Sequence, residues 1–298
     1  MSGPGRQILV GLSTASVYPQ NTEAAFRYAA ELGYDGMELM VWAEPASQSI
    51  ATVQTYVRKY GVPVLAVHAP CLLISQRVWG PDPVAKLERS VRTAEALGAG
   101  SVVVHPPFRW QRRYAQGFAD QVAELEEHSP VIVAVENMFP MRADTLFGRG
   151  AGSAKRLERR GGPGPGLTAF SPSYDPTDTG FKHYTLDLSH TSTAGVDPLA
   201  LAARMGSGLA HLHLADGRGA AHDEHLVPGE GTQPCAELCA MLVRTGFSGH
   251  AVAEINTQNA RTTGERASML HRTLAYAREH LNGRAPAPTT ASSRANLV

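Results

Sequence analysis

The chain has 298 residues, of which 43% are hydrophobic and 18% charged, enough apolar material for one large core; single barrels of about 250 residues form one domain. Lys plus Arg and Asp plus Glu both number 27, a formal charge of zero, which argues against gripping a nucleic-acid backbone through a basic excess. No apolar run approaches the roughly 18 residues of a membrane helix, and the start MSGPGRQILVGLS lacks a secretory apolar stretch.

Three cysteines, Cys71, Cys235 and Cys239, make no disulfide framework, so a cytoplasmic protein is expected. Cys235 and Cys239 stand four apart in a helical pattern and read as small core residues.

In chain order, the first strand is expected at Ile8–Leu12, followed by a helix over TEAAFRYAAEL with Asn21 as its cap and Gly33 as its stop. Gly36–Met40 is the second strand. Ser47 is the expected cap of the next helix, QSIATVQTYVRKY, which stops at Gly61. Val64–Val67 follows, then a helix opened by Asp82-Pro83 and stopped at Gly98. The remaining strands are Ser101–Val104, Val131–Val135, Tyr184–Leu188, Ala210–Leu214 and Ala251–Ile255, eight in all. They are nearly continuous apolar runs, as parallel strands covered on both faces should be.

Eight strand–helix units with no helix-only block predict an α/β protein of one closed (β/α)8 barrel. No GxGxxG or GxxxxGK[ST] loop follows a strand, which removes the main support for an open nucleotide-binding sheet. The barrel is expected to span residues 1–282. Residues 141–181, rich in Gly, Pro and Arg, form an insertion after the fifth strand and read as a lid, a binding loop or an extra helix. Residues 283–298 have the composition of a disordered tail.

The ends of the strands carry the chemistry. The third ends in VHAP with His68, the fourth in VVVHPP with His105, and the fifth in VAVEN with Glu136. The sixth gives LDLSH with Asp187 and His190, and the seventh LHLAD with His213, followed by DEH with Asp223 and His225. The eighth ends in VAEIN with Glu254. One such histidine is usually no more than a hydrogen-bonded side chain. A glutamate closing an apolar strand is costly unless something pairs with it. Six successive strands contributing such a residue to the rim where barrels place their chemistry point to a divalent metal, zinc or manganese, with magnesium or cobalt as further candidates. His211 shares a strand face with His213 by period-two alternation and reads as a supporting or interior residue. His128, His183, His222, His250, His271 and His280 lack strand-end placement and are expected to have structural or surface roles.

The motifs GYDGMEL, VHAP, VVHPP, VEN, LDLSH, HLHLAD, DEHLVPGEG and EIN together resemble the xylose-isomerase-like barrel superfamily over roughly residues 7–281. That superfamily holds sugar and sugar-phosphate isomerases and epimerases together with endonuclease IV-like apurinic endonucleases. The resemblance to the epimerases implies one divalent ion held by Glu136, Asp187, His213 and Glu254, with Glu136 and Glu254 as the catalytic pair. The resemblance to the endonucleases implies a trinuclear zinc cluster that adds His68, His105, His190, Asp223 and His225. All nine residues are present.

The chain departs from the endonucleases after its second strand, where VWAEPASQS has no Arg or Lys, and in HAPCLL, which lacks the tyrosine that follows their third-strand histidine. The leading expectation is therefore a metal-dependent isomerase or epimerase abstracting a proton next to a carbonyl. A multinuclear phosphodiesterase is the alternative. A binding barrel that has lost turnover is a third reading, disfavoured by the intact set.

His68, His105, His190 and Arg109 are the expected substrate contacts. Arg112 and Arg113 beside Arg109, and Arg149, Lys155, Arg156, Arg159 and Arg160 in the insertion, are candidate phosphate binders, although loop arginines are as often solvated charges. The expected partner is a small polyhydroxylated molecule, with or without a phosphate, and neither nucleic acid nor membrane. Assembly with further copies of the chain stays open.

Overall fold

The structure, a computed structural model, describes residues 7–70, 75, 77–140 and 169–282. Eight parallel strands close into a barrel in sequence order, with β8 returning to pair with β1. They are β1 (Leu9–Ser13), β2 (Gly36–Met40), β3 (Val64–His68), β4 (Ser101–Val104), β5 (Ile132–Glu136), β6 (Tyr184–Asp187), β7 (Leu209–Leu214) and β8 (His250–Ala253). The described helices are α1 (Thr22–Leu32), α2 (Ile50–Tyr60), α3 (Pro83–Leu97), α4 (Arg112–His128), α5 (Leu188–Ala194), α6 (Pro198–Met205), α7 (Cys235–Thr245) and α8 (Thr263–Asn282). The expected (β/α)8 barrel is the fold.

The helices begin and end for local reasons. Asn21 accepts from the Ala24 amide to cap α1, and Gly33 closes it at φ 83°, a conformation that favours glycine. The cap of α2 is Ser49 rather than Ser47. Ser47 is consumed one turn earlier, donating to Glu44 O at 2.8 Å and accepting from Trp42 N within a short 3-10 turn, Pro45–Gln48. The sixth strand stops at Asp187, one residue before the expected Leu188, because Asp187 accepts from the His190 amide at 2.7 Å and turns the chain directly into α5.

The main core lies between the strands and the helical ring. Phe26 and Ala29 of α1, Leu87, Val91 and Ala94 of α3, and Leu238 and Leu242 of α7 are all buried at helical spacing against it. Cys235 and Cys239 belong to this core, and burial pushes the Cys239 thiol up to about 12. Inside the barrel, Gly36 makes room for Leu65, since a Cβ there would lie 2.4 Å from Leu65 Cγ.

Residues 141–168 of the insertion and the tail from 283 lie outside the described residues. The end of the insertion packs on the rim. Phe170 bridges to Phe108, Ser171 N donates to Pro107 O, and Met138 N donates to Tyr174 O. Among the described residues no helix is long and apolar enough to cross a membrane.

Candidate metal centre

Each strand delivers its donor to one rim because it ends there. His68, Glu136 and Asp187 are the last residues of β3, β5 and β6, His105 and Glu254 immediately follow β4 and β8, and His213 is the penultimate residue of β7. All six are buried, from 0% exposed for Glu136, Asp187 and His213 to 7% for Glu254. His190 sits in the first turn of α5, placed by the Asp187 cap. Asn137 locks β5 to β6, with Oδ1 accepting from Asp187 N at 2.7 Å and Nδ2 donating to Asp187 O.

Asp223 and His225 come from the long loop after β7. Asp216, 1% exposed, organises that loop: its carboxylate accepts from the amides of Gly217, Gly229, Gly231 and Gln233 at 2.8–3.0 Å. Asp216 and Leu226 also exchange both backbone bonds.

At the centre, His213 Nδ1 lies 2.8 Å from Glu254 Oε2, 3.0 Å from Glu136 Oε1 and 3.3 Å from Asp187 Oδ2. One N–H cannot serve three carboxylates. Ligands about 2.1 Å from a common ion lie roughly 3.0–3.4 Å apart at octahedral or tetrahedral angles, so this spacing is that of a coordination shell. These four groups could hold a metal ion.

The tautomers point the same way. His213 Nε2 and His211 Nε2 both lie against Glu38 Oε2, at 3.1 Å and 2.9 Å, and all three residues are 0% exposed. A carboxylate only accepts, so Nε2 donates to Glu38; burial would lower His213, yet Glu254, Glu38 and Glu136 hold it well above the usual imidazole range, and a divalent ion among the three carboxylates could replace the proton on Nδ1.

Three further imidazoles place Nδ1 on a backbone carbonyl: His68 on Ala69 O, His190 on Asn137 O and His225 on Glu254 O, at 3.0, 2.8 and 2.6 Å. Their Nε2 atoms then face carboxylate oxygens, His68 at 3.3 Å from Glu136 Oε2, and His190 and His225 at 3.2 and 2.7 Å from Asp223 Oδ2. His105 Nε2 is 3.0 Å from the same Glu136 oxygen. His68, His105 and Glu136 form a second donor group, and Asp187, His190 and His225 a third, with Asp223 Oδ2 against the Nε2 atoms of His190 and His225. The structure thus brings the six strand-end residues together with His190, Asp223 and His225.

The electrostatics follow. Burial opposes ionisation of Glu136, but His213 and His105 override it and hold its carboxyl well below the usual range. The same contest holds Asp223 far down beside His225 and His190. Burial would lower His190, yet Asp187 and Asp223 raise it to about 10. Such a cluster concentrates negative charge around imidazoles, which is what attracts a divalent ion.

Glu38 is the residue that sequence reasoning passed over. Its signal was available: a lone carboxylate inside GMELM is as costly as those of Glu136 and Glu254. Asp216 and Asn137 left a fainter trace, because their role is to hold backbone.

A profile described as "Xylose isomerase-like TIM barrel" matches residues 26–160 and 182–279. The chain belongs to the xylose isomerase-like TIM barrel family. It is 65% identical over 274 residues to an uncharacterized protein of Mycobacterium tuberculosis, covering 92% of this chain and 98% of that one. It is 21% identical over 257 residues to fructoselysine 3-epimerase of Shigella flexneri, covering 79% and 85%. Among solved structures it resembles the IolI protein with a bound zinc atom, at TM-score 0.64 and 15% identity, covering 92% of this chain and all of that one.

Two cavities flank the end of β3 in this xylose isomerase-like barrel. One, of about 390 Å³, runs between α3 and the loop after β4, and is walled by His105, Arg77, Lys86, Gln111, Tyr114, Phe108 and several prolines. The other, of about 590 Å³, lies beside Tyr18, Met40 and Trp42. Ala69 and Pro70 line both. Arg109 is exposed, with its amide on Ala169 O, and stands outside both sets of lining residues. Arg112 and Arg113 line an adjoining outer recess that shares Pro81, Pro83, Trp110, Gln111 and Tyr114 with the first cavity. The arginines and lysine expected at 149–160 lie outside the described residues. His183 pairs with Glu126, and His128 bonds to Glu124 O in its own helix, the structural roles expected of them.

Proposed function

We propose that this chain is a divalent-metal-dependent isomerase or epimerase of a small polyhydroxylated carbonyl compound, acting by proton abstraction from the carbon beside the carbonyl. The observation that carries this reading is the buried set Glu136, Asp187, His213 and Glu254 around one point at the barrel rim. The similarity to fructoselysine 3-epimerase supports a sugar-like substrate.

A divalent ion held by those four groups would act as a Lewis acid on the carbonyl oxygen and adjacent hydroxyl, acidifying the neighbouring C–H; zinc and manganese suit the mixed imidazole–carboxylate set. Glu254 is the better base. Its side chain is 10% exposed, and Oε1 accepts from the Ser13 hydroxyl at 3.4 Å, while Oε2 faces His213. Glu136 is 0% exposed with both oxygens against imidazoles. It serves as a fixed ligand, and the proton that Glu254 removes returns to the intermediate from Glu254 or from solvent. His68, His105 and His190 hold substrate hydroxyls.

A second reading rests on one specific feature. Glu136 belongs to two donor groups through different oxygens, as a carboxylate bridging two ions would. That, with the third donor group, favours a multinuclear phosphoester hydrolase, in which closely spaced ions stabilise attacking and leaving oxygens.

The deciding experiment incubates the manganese- or zinc-loaded protein with pooled ketoses, inososes and their phosphates in deuterated water, beside abasic-site DNA under the same conditions. Deuterium entering next to a carbonyl, with intact DNA, is expected. Incision without exchange in any sugar would overturn the isomerase reading, and two or three ions per chain would support the alternative.

A further inference from the structure

We infer that Ser16 is the positioning residue for Glu254: its one hydroxyl holds both peptide groups that flank that glutamate, and Thr257 and Arg266 hold Ser16 in turn. What the clamp is for rests on the isomerase reading, in which Glu254 is both ligand and base. Glu254 stands at a place that the sheet does not secure. The register of β8 with β1 ends at the pair Leu12 and Ala253, and its register with β7 at Leu214 and Ala253. Glu254 is the next residue, so the peptide groups on either side of it lie at or past the ends of both ladders. Buried backbone there needs another partner.

Ser16 Oγ is that partner. It donates to Ala253 O at 3.1 Å and accepts from Ile255 N at 2.9 Å. Those atoms belong to the peptide groups before and after Glu254, so one hydroxyl fixes the backbone on both sides of its Cα. A reacting group must be held to within about 0.5 Å, which calls for a fixed backbone beneath the side chain. The carboxylate is aimed from the same loop, with Ser13 Oγ donating to Oε1 at 3.4 Å. β1 contributes no residue to the donor groups. Its last residue, Ser13, and the 3-10 turn Thr14–Val17 that follows hold the glutamate of the neighbouring β8 instead.

Ser16 is itself held from behind. Thr257 Oγ1 donates to Ser16 O at 2.5 Å and accepts from Arg266 Nε at 2.8 Å, while Arg266 Nη2 donates to Thr257 O at 3.2 Å. Ser16 and Thr257 are 1% exposed and Arg266 5%. Arg266 lies near the start of α8, where burial penalises its charge and the free amides of the helix repel it. Its hydrogen bonds grip Thr257 by both hydroxyl and carbonyl. The guanidinium, the Thr257 hydroxyl and the Ser16 carbonyl form one run of bonds, each polarising the next.

The test is a mutant cycle read by zinc affinity, measured by chelator competition on the whole chain. Ser16→Ala, which removes one oxygen, should weaken zinc about tenfold, a usual cost of losing the support behind a ligand. Thr257→Val should weaken it about threefold, and Thr257→Ser, which keeps the hydroxyl, should bring it back to about the wild-type value. With Glu254→Ala already in place, Ser16→Ala should cost less than about twofold more, because the carboxylate it aims is gone; with Asp187→Asn it should cost the full tenfold. Equal losses on all three backgrounds, or unchanged affinity in Ser16→Ala, would overturn the positioning role. Amide exchange at Ile255 in the metal-free protein reads the clamp without an ion. It should accelerate about tenfold in Thr257→Val but not in Thr257→Ser, and no acceleration would remove Thr257 and Arg266 from the clamp. Deuterium exchange in the pooled sugars separates the two readings. The expected zinc pattern without exchange in any sugar keeps the clamp on a ligand and removes the isomerase. Sugar exchange that Ser16→Ala leaves untouched keeps the isomerase and removes the positioning role.

Discussion

Asp216→Asn tests whether one carboxylate builds the third donor group. In the native loop, Oδ1 accepts from Gly217 N and Gln233 N, and Oδ2 from Gly229 N and Gly231 N. An amide presents an NH2 in place of one oxygen, so whichever way it turns, two backbone donors lose an acceptor and meet another donor. Hydrogen bonds to a charged group contribute about 1.5–3 kcal/mol each, a total of about 3–6 kcal/mol. Gly229 and the loop rim are open to solvent, so water recovers part of this and the low end, about 3 kcal/mol, applies. That corresponds to roughly 100-fold easier local opening. The loop cannot close further on the amide, because Gly231 already packs against Asp216 so closely that a Cβ would lie 2.3 Å from Oδ1. Amide exchange at Gly229, Gly231 and Gln233 should therefore accelerate by about two orders of magnitude, while the β5 amides stay protected. Since Asp223 and His225 ride on this loop, any ion they help to hold should be bound more weakly. Exchange within about threefold of wild type would refute the account.

Glu38→Gln keeps the shape of the buried triad but no longer fixes both His211 and His213 with Nε2 protonated. Metal affinity, read by chelator competition, should weaken about 10–100-fold, and an unchanged affinity at normal melting temperature would make Glu38 purely structural. Glu254→Gln should abolish proton exchange and weaken metal binding together, whereas His128→Ala, on the outer end of α4, should alter neither; equal losses in both would discredit the strand-end assignment. The last expectation concerns pH. His190 is raised to about 10 from 6.5 in the ion-free protein, so its contribution is complete below about 6.5 and lost as pH rises through 10. Metal-stripped protein should melt progressively lower from pH 7 to 10, and added zinc or manganese should reverse this, because ligation requires the neutral imidazole. A flat melting profile for the stripped protein would count against the buried imidazolium.

Much of the barrel was legible because its signals are local. Apolar runs such as SVVV and IVAVE show parallel strands, glycines at 33, 61 and 98 stop helices through their left-handed φ, and a polar residue closing each apolar run has to lie at the rim. That is why the residues closing six of these runs could be expected together at one rim. Errors of a residue or so, at Ser47 and Leu188, arose where two polar side chains competed for one cap or where a strand's last carboxylate also began a helix.

What only the tertiary structure decided are the relations between distant strands. Glu38 and His213 are 175 positions apart and meet solely because the sheet closes on itself with both facing inward. The tautomers of His68, His190 and His225 are set by the carbonyls of Ala69, Asn137 and Glu254, and the last two arrive from other strands. A residue's type fixes what it can donate or accept, and its strand's period fixes which way it points. Which acceptor waits there is settled by packing, and that choice decides where each imidazole lone pair, and so each ligand bond, is directed.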